Sequence, residues 1–533
     1  MSILFLKSDG IHYQEHPYKP IGAGLDWFDS CLSAIWKGTG DMLAVRLNKA
    51  QFEYDIHSII KAFYPAETVK VFEEGTKDFE SDGDNPQITI RFGEKEIRVE
   101  LSGTEYETAL SSPEERPVVK NELKQLLYRI LSAHTGKKLP WGTLTGIRPT
   151  KIAMQFLEAG TGRDTEADSN NPFTEAEILD YMKETYYCSE EKALLAIDIA
   201  KREKRILADI HYDKGYSLYI GIPFCPTTCL YCSFTSFPIF SWKDRVGDYL
   251  AALEKEMDFV RDACRDKILD SVYIGGGTPT TLELEAMSRL LKKVRDSFDF
   301  SQVKEFTVEA GRADSITRDK LRVMKEYGVT RISVNPQTMN QEPLDLIRRR
   351  HTVEQVEEAF RLAREEGFTN INMDLILGLP GETREHVEHT IEEVKRLQPD
   401  SLTVHSLAIK RASKMSLWIE KNGIETLHNT DETMEIAALG AAEMGMKPYY
   451  LYRQKNMSGN FENVGYASEG NYGIYNILIM EEKQTIMALG AGTISKAVYP
   501  DGRIERCDNV KDVALYMEKI DEMIERKRKL LQN

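Results

Sequence analysis

Three cysteines stand close together in the run Ile222-Pro223-Phe224-Cys225-Pro226-Thr227-Thr228-Cys229-Leu230-Tyr231-Cys232. The C-x3-C-x2-C spacing supplies three thiolates, not four. Three thiolates can hold three irons of a [4Fe–4S] cube and leave the fourth iron open to a reacting ligand. A structural zinc site closes with four ligands, and no fourth Cys or His lies close by in the sequence. A disulfide pair would leave one thiol over. Of the seven cysteines, the other four (Cys31, Cys188, Cys264 and Cys507) are scattered singly. That pattern fits a reducing cytoplasm better than a disulfide framework.

Other residues of chemical interest follow in order. Gly275-Gly276-Gly277-Thr278-Pro279 presents backbone with no Cβ to obstruct a ligand, although a tight turn from strand to helix is the plain alternative. Glu309 ends the apolar run Phe306-Thr307-Val308. Gln337 follows Ser333-Val334-Asn335-Pro336, and Arg349 lies in Ile347-Arg348-Arg349-Arg350-His351. Asp374 interrupts an apolar strand, where a carboxylate is costly unless paired. Tyr231, between the second and third cysteines, would lie against a cluster and keep water from it, or simply fill space. His405 is a possible acid–base group or a hydrogen-bonded core histidine. Lys410, Arg411, Arg453, Lys455 and Lys496 are candidates to bind an anion, each equally readable as an ordinary surface cation.

The elements around these residues suggest how they meet. Strands are expected at 216–222, 270–274, 304–309, 329–334, 370–376 and 401–405. Amphipathic helices lie between them at about 243–264, 282–297, 314–327, 340–366 (broken near 350) and 382–397. Six alternations predict an α/β protein whose parallel sheet curls into a partial (β/α)6 barrel. The cysteines, the glycine run, Glu309, Gln337, Asp374 and His405 then share the carboxyl-terminal ends of the strands, where such barrels carry chemistry. Upstream, 87–92 and 96–101 read as a hairpin, and helices are expected at 117–135, 174–185 and 189–208. The expected division is an N-terminal α+β domain at 1–160, linker and helices at 161–212, the barrel at 213–405, and a C-terminal α/β extension on the substrate side at 406–533.

Taken together, the cysteine spacing, Tyr219-Ile220-Gly221-Ile222-Pro223-Phe224-Cys225, the Gly-Gly-Gly-Thr-Pro run, Glu309, Gln337, Arg349 and Asp374-Leu375-Ile376-Leu377-Gly378-Leu379-Pro380-Gly381 resemble the oxygen-independent coproporphyrinogen III oxidase family of radical S-adenosylmethionine enzymes. The stretch Leu139 to Lys151 is similar to the HemZ-type branch. The resemblance implies a [4Fe–4S] cluster on Cys225, Cys229 and Cys232, with Tyr231 at the reacting centre. It implies an S-adenosyl-L-methionine site made by Tyr219, Gly276, Gly277, Thr278, Glu309, Gln337, Arg349 and Asp374. The implied reaction is oxidative decarboxylation of two propionates of coproporphyrinogen III, giving protoporphyrinogen IX in haem biosynthesis. Two molecules of S-adenosylmethionine would be consumed, with electrons from a donor such as flavodoxin or ferredoxin. Arg411, Arg453 and Lys455 would meet the propionates. Oxidases of the type carry a fourth cysteine where this chain has Phe234. The related haem-chaperone branch lacks that cysteine too, so haem binding or delivery is the alternative.

Composition sets limits on partners. The 533 residues carry a formal net charge of -16 and 41% hydrophobic residues. An acidic chain disfavours nucleic acid, whose binding draws on a basic surface. No apolar run is long enough to span a bilayer, and the start lacks signal-peptide character.

Overall fold

A computed structural model describes residues 42–75, 86–146, 148–159, 173–410, 413–423, 426–454 and 461–532. Residues 161–172 of the expected linker, and with them Arg411 and Lys455, lie outside the described residues. The chain forms two compact units, Met1–Lys138 and Leu139–Asn533.

In the first unit, strands β1 (Met42–Leu47), β2 (Thr68–Glu73), β3 (Ile88–Phe92), β4 (Glu96–Leu101) and β5 (Thr104–Ala109) form one sheet in the order β2-β1-β3-β4-β5. The expected hairpin is present. β3 and β4 pair antiparallel, and Gly93 donates to Glu96 O at 2.9 Å to close the turn. One face of the sheet is apolar (Val45, Ile90, Val99), and the helices Glu53–Phe63 and Arg116–Thr135 bury an apolar stripe in the same unit.

The second unit is built on an eleven-stranded sheet. Its middle consists of β6 (Gly215–Ile222), β9 (Ile268–Gly276), β10 (Glu305–Glu309), β11 (Arg331–Ser333), β12 (Ile371–Leu377) and β13 (Ser401–Ser406), all parallel and in chain order. Between β6 and β9 lies a two-stranded pair, β7 (Phe224–Cys225) and β8 (Phe237–Pro238). The six parallel strands are buried on both faces, which is why they read as continuous apolar runs. The intervening helices are amphipathic. Leu284–Ser297, for example, buries Met287, Leu290, Leu291 and Val294 on one stripe. The expected (β/α)6 partial barrel is therefore the observed architecture.

The C-terminal region is part of the barrel sheet itself. It contributes strands to both edges of the barrel sheet. β14 (Lys447–Tyr452) and β15 (Asn463–Ala467) continue antiparallel from β13, while β16 (Thr485–Leu489) pairs parallel with β6 and leads to β17 (Ile494–Val498) and β18 (Ile504–Asp508). An open barrel leaves two rows of unpaired N–H and C=O groups, and these strands satisfy both. The division between units also falls earlier than residue 160. Trp141 is fully buried and donates its indole N–H to Glu462 at 2.7 Å. The helices Thr150–Glu158, Glu175–Tyr186 and Glu190–Ile206 bury Met154, Ile178, Met182 and Ala196 in the same core as the barrel. The segment 173–212 is thus part of the barrel's wall. No described helix is long and apolar enough to cross a membrane.

Candidate functional site

The carboxyl-terminal ends of the six parallel strands surround a cavity of about 230 Å³. Cys225, Cys229, Tyr231, Cys232, Gly276, Gly277, Thr278, Glu309, Gln337, Arg349, Asp374 and His405 all line it. Residues from six separate strand ends converge there because parallel strands present all their carboxyl ends on one side.

The cysteine loop is pinned at its base. Gly277 N donates to Ile222 O at 2.8 Å and Thr278 N to Phe224 O at 2.7 Å, tying the glycine run to the loop's entry. The glycines are needed for this approach. A Cβ on Gly277 would lie 2.5 Å from Phe224 O, and Gly276 adopts φ +105, a conformation open chiefly to glycine. Thr278 Oγ1 sits 3.4 Å from Cys225 Sγ, and Ser236 Oγ 3.9 Å from Cys232 Sγ. Burial pushes the Cys225 thiol up to about 11, against the lowering effect of the Thr278 hydroxyl.

Two guanidinium groups meet at Cys229. Arg312 and Arg349 each place Nη1 3.8 Å from its sulfur. Arg349 reaches this point because its helix, Gln341–Leu346, stops early. Arg348 turns the backbone left-handed (φ +59), and Thr352 caps the next helix, Val353–Glu365. Arg349 is 5% exposed and donates to Tyr231 Oη at 3.0 Å, to Asn335 O at 2.7 Å and to Gly311 O. Arg312, 2% exposed, is held by both oxygens of Asp314 at 3.0 and 2.8 Å and donates to Thr227 Oγ1 at 3.1 Å.

Carboxylates face these cations across the cavity. Glu309 accepts from the Tyr273 hydroxyl. Burial pushes its carboxyl up to about 7, which the Tyr273 hydrogen bond opposes and the nearby Asp374 reinforces. For Asp374, burial favours the neutral form. The polar contact and charge of His405, and a bond from Asn372 at 2.7 Å, outweigh it and hold the group below the usual carboxylate range. Its Oδ2 lies 3.8 Å from His405 Nε2. Gln337 is 8% exposed and takes φ +72, a conformation that costs a non-glycine residue on the order of 1–2 kcal/mol. Two backbone bonds to β12 hold it there: Gln337 N to Asp374 O and Ile376 N to Gln337 O, both 2.9 Å. Strain at a cavity wall marks positions where the chain is held for a purpose beyond folding.

The donor set fits an iron–sulfur cube with a polar ligand beside it. Three thiols border one cavity, and among the described residues no three Cys, His, Asp or Glu side chains gather tightly enough to hold a single metal ion. Thiols spread around a space suit a cube, in which each binds its own iron. The buried side-chain atoms Asn335 Oδ1, Gln337 Oε1 and Arg349 Nε have no partner among the described residues. Unsatisfied polar atoms of that kind point to a ligand.

Not every candidate reaches the cavity. Tyr219 does not line it. The ring stacks on Tyr273 (6.0 Å) and Tyr475 (5.8 Å), and meets the site only through Tyr273, which donates to Glu309. Arg453 points away from the cavity. It is 3% exposed, donates to Leu144 O and to Phe461 O at 3.5 Å, and faces the Glu462 carboxylate. Lys496 is held by Glu482 at 2.9 Å. Arg312 was missed, although its place three residues after Glu309 at a strand end was a signal. Lys410, one of several candidate cations in the sequence, lines the cavity.

Comparison with known proteins places this geometry. The Radical SAM superfamily profile matches residues 219–394. The oxygen-independent coproporphyrinogen-III oxidase-like protein HemZ of Bacillus subtilis is 42% identical over 419 residues, 78% of this chain and 81% of its own. The heme chaperone HemW of the same organism is 34% identical over 256 residues, 48% of this chain and 65% of its own. Coproporphyrinogen III oxidase (HemN) from Escherichia coli, a solved structure, superposes with a TM-score of 0.46 at 24% identity over 62% of this chain and 73% of its own. With the superfamily match spanning the barrel and the HemZ match most of both chains, this protein belongs to the oxygen-independent coproporphyrinogen III oxidase family of radical S-adenosylmethionine proteins.

Proposed function

We propose that the protein is an oxygen-independent coproporphyrinogen III oxidase, converting coproporphyrinogen III to protoporphyrinogen IX by oxidative decarboxylation of two propionates. The observation that carries the reading is one cavity joining the three-cysteine loop to Glu309, Gln337, Arg349 and Asp374, in a chain similar to HemZ over most of its length. When bound, a [4Fe–4S] cluster and S-adenosyl-L-methionine supply reductive cleavage of the latter and hydrogen abstraction from the substrate.

The chain's own residues bind, orient and shield. Cys225, Cys229 and Cys232 hold the cluster, and the guanidinium groups beside Cys229 offset its negative charge. Backbone at Gly276 and Gly277, with Thr278, lets the methionine part approach. Glu309 receives its ammonium, because a carboxyl poised near neutrality ionises readily beside a cation. Asp374, already ionised, accepts from ribose hydroxyls, as does the free Oε1 of Gln337. Tyr231, fixed by Arg349, closes the cluster side against water. A small electron-transfer protein such as flavodoxin or ferredoxin supplies the electrons.

Phe234 at the position of the oxidases' fourth cysteine, and the HemW similarity, favour haem binding or delivery as a second reading. The test is an anaerobic incubation of the reconstituted protein with reductant, S-adenosylmethionine and coproporphyrinogen III, followed by chromatography of the oxidised products. Protoporphyrin and a mono-vinyl intermediate support the oxidase. Neither product, together with tight haem binding, replaces it with haem delivery.

A further inference from the structure

One cation at the cavity, Lys410, has an ammonium with no hydrogen-bond or carboxylate partner among the described residues. Of the three Lys and Arg side chains that line the cavity, Arg312 is paired with Asp314 and Thr227, and Arg349 is buried in the wall with its Nη atoms on two carbonyls and Tyr231. Lys410, four residues beyond β13, makes no ion pair with any described carboxylate. Its ammonium lies 5.3 Å from the centroid of the Phe234 ring. It is half-buried, so its charge is partly stripped of water. Phe234, two residues after Cys232, is 70% exposed and also lines the cavity. A large aromatic ring so exposed, with a cation fixed beside it, offers an apolar face and a charge side by side.

We propose that Lys410 and Phe234 form a two-point clamp for a flat, apolar ring bearing a pendant carboxylate. The ammonium pairs with the carboxylate while the phenyl ring packs against the ring body. The inference rests on the oxidase reading for the identity of that ligand, a porphyrinogen propionate and its pyrrole. It moves the anion contact from Arg453, which is sealed in the wall, to Lys410. It also gives Phe234 a task at the position where the oxidases carry a cysteine. The clamp sits beside Cys232, so a carboxylate held there keeps its side chain at the cluster end of the cavity.

Binding can be read without a cluster or turnover. Coproporphyrin III, the fluorescent oxidised form with the same four carboxylates, is titrated into the full-length protein. Wild type is compared with Lys410→Gln, Lys410→Arg, Phe234→Ser, Phe234→Tyr and the control Lys243→Gln, whose ammonium lies 6.0 Å from the exposed Phe240 ring. Lys410→Gln should weaken binding by roughly tenfold or more, as expected for loss of a charge-assisted bond. Lys410→Arg should retain most of it. Phe234→Ser should weaken binding and Phe234→Tyr should not, and Lys243→Gln should match wild type. The tetramethyl ester of coproporphyrin should bind wild type and Lys410→Gln alike. Equal binding of the free acid by wild type and Lys410→Gln, or no binding by wild type, overturns the clamp. The two claims fail separately. A wild type that makes no protoporphyrinogen but loses porphyrin binding on Lys410→Gln refutes the oxidase and keeps the clamp. A wild type that turns over, with unchanged binding and KM in Lys410→Gln, does the reverse.

Discussion

Replacing Arg349 with alanine should loosen the cysteine loop before it affects anything else. The side chain spans three elements at once: Tyr231 Oη in the loop at 3.0 Å, Asn335 O after β11 at 2.7 Å, and Gly311 O after β10. Each is a bond from a charged donor, individually worth about 1.5–3 kcal/mol. Removing one partner of such a buried network typically costs about 3–5 kcal/mol. That cost should fall locally, on the loop between Phe224 and Phe237. The unit is large and the chain has two units, so a single global unfolding midpoint is a poor reporter. Hydrogen exchange is better. The amides of Leu230 (to Ile347 O, 2.9 Å), Cys232 (to Cys229 O, 3.2 Å) and Phe237 (to Pro223 O, 2.8 Å) report loop opening directly. Their protection should drop by roughly two to four decades, the factor that corresponds to that energy. Arg349→Lys should not rescue it, because one ammonium cannot serve three acceptors in a fixed fork. Unchanged protection at these three amides in Arg349→Ala would refute the role of Arg349 as the strut of the loop.

Alanine at Cys225, Cys229 or Cys232 should abolish iron uptake and visible absorbance on anaerobic reconstitution, while alanine at Cys188, Cys264 or Cys507, buried away from the cavity, should not. Gly277→Ala should also impair iron uptake, since its Cβ would press on Phe224 O and displace the strand that leads into the loop. Glu309 stands above its ordinary value of 4.5, at about 7. Its contribution to stability is therefore full below pH 4.5 and lost as pH rises to about 7. Hydrogen-exchange protection of the β10 amides in the cofactor-free protein should fall over that interval, and Glu309→Gln should flatten the fall. Gln337→Gly should relieve the left-handed strain and slightly raise hydrogen-exchange protection of the Gln337 and Ile376 amides, while weakening S-adenosylmethionine binding measured by equilibrium dialysis.

The barrel was legible because doubly buried parallel strands read as short β-branched runs and their helices as amphipathic stripes. Ile332 to Val334 and Ile371 to Leu377 needed no partner to be recognised. Most of the site followed, since residues at the carboxyl ends of such strands share one side whatever the loops do. What stayed hidden depends on pairing over long distances. Nothing local in Thr485–Leu489 says that it lies beside β6, more than 250 residues earlier, or that Asn463–Ala467 lies beside β13. Charged residues were the hardest to assign. Arg453 and Lys410 look alike as isolated cations near a strand end. One is drawn into the wall by Glu462 and the Leu144 carbonyl, the other is left at the mouth beside Phe234. Spacing carries the charge of a side chain but not its direction, which packing decides.

The central claim is that this cavity takes hydrogen from a propionate of coproporphyrinogen III. Coproporphyrinogen III deuterated in its propionate side chains, incubated anaerobically with the reconstituted protein, reductant and S-adenosylmethionine, tests it most directly. Deuterium is expected in the released 5′-deoxyadenosine, with a matching amount of vinyl product. Release of 5′-deoxyadenosine free of deuterium, with the porphyrinogen recovered intact, would contradict it.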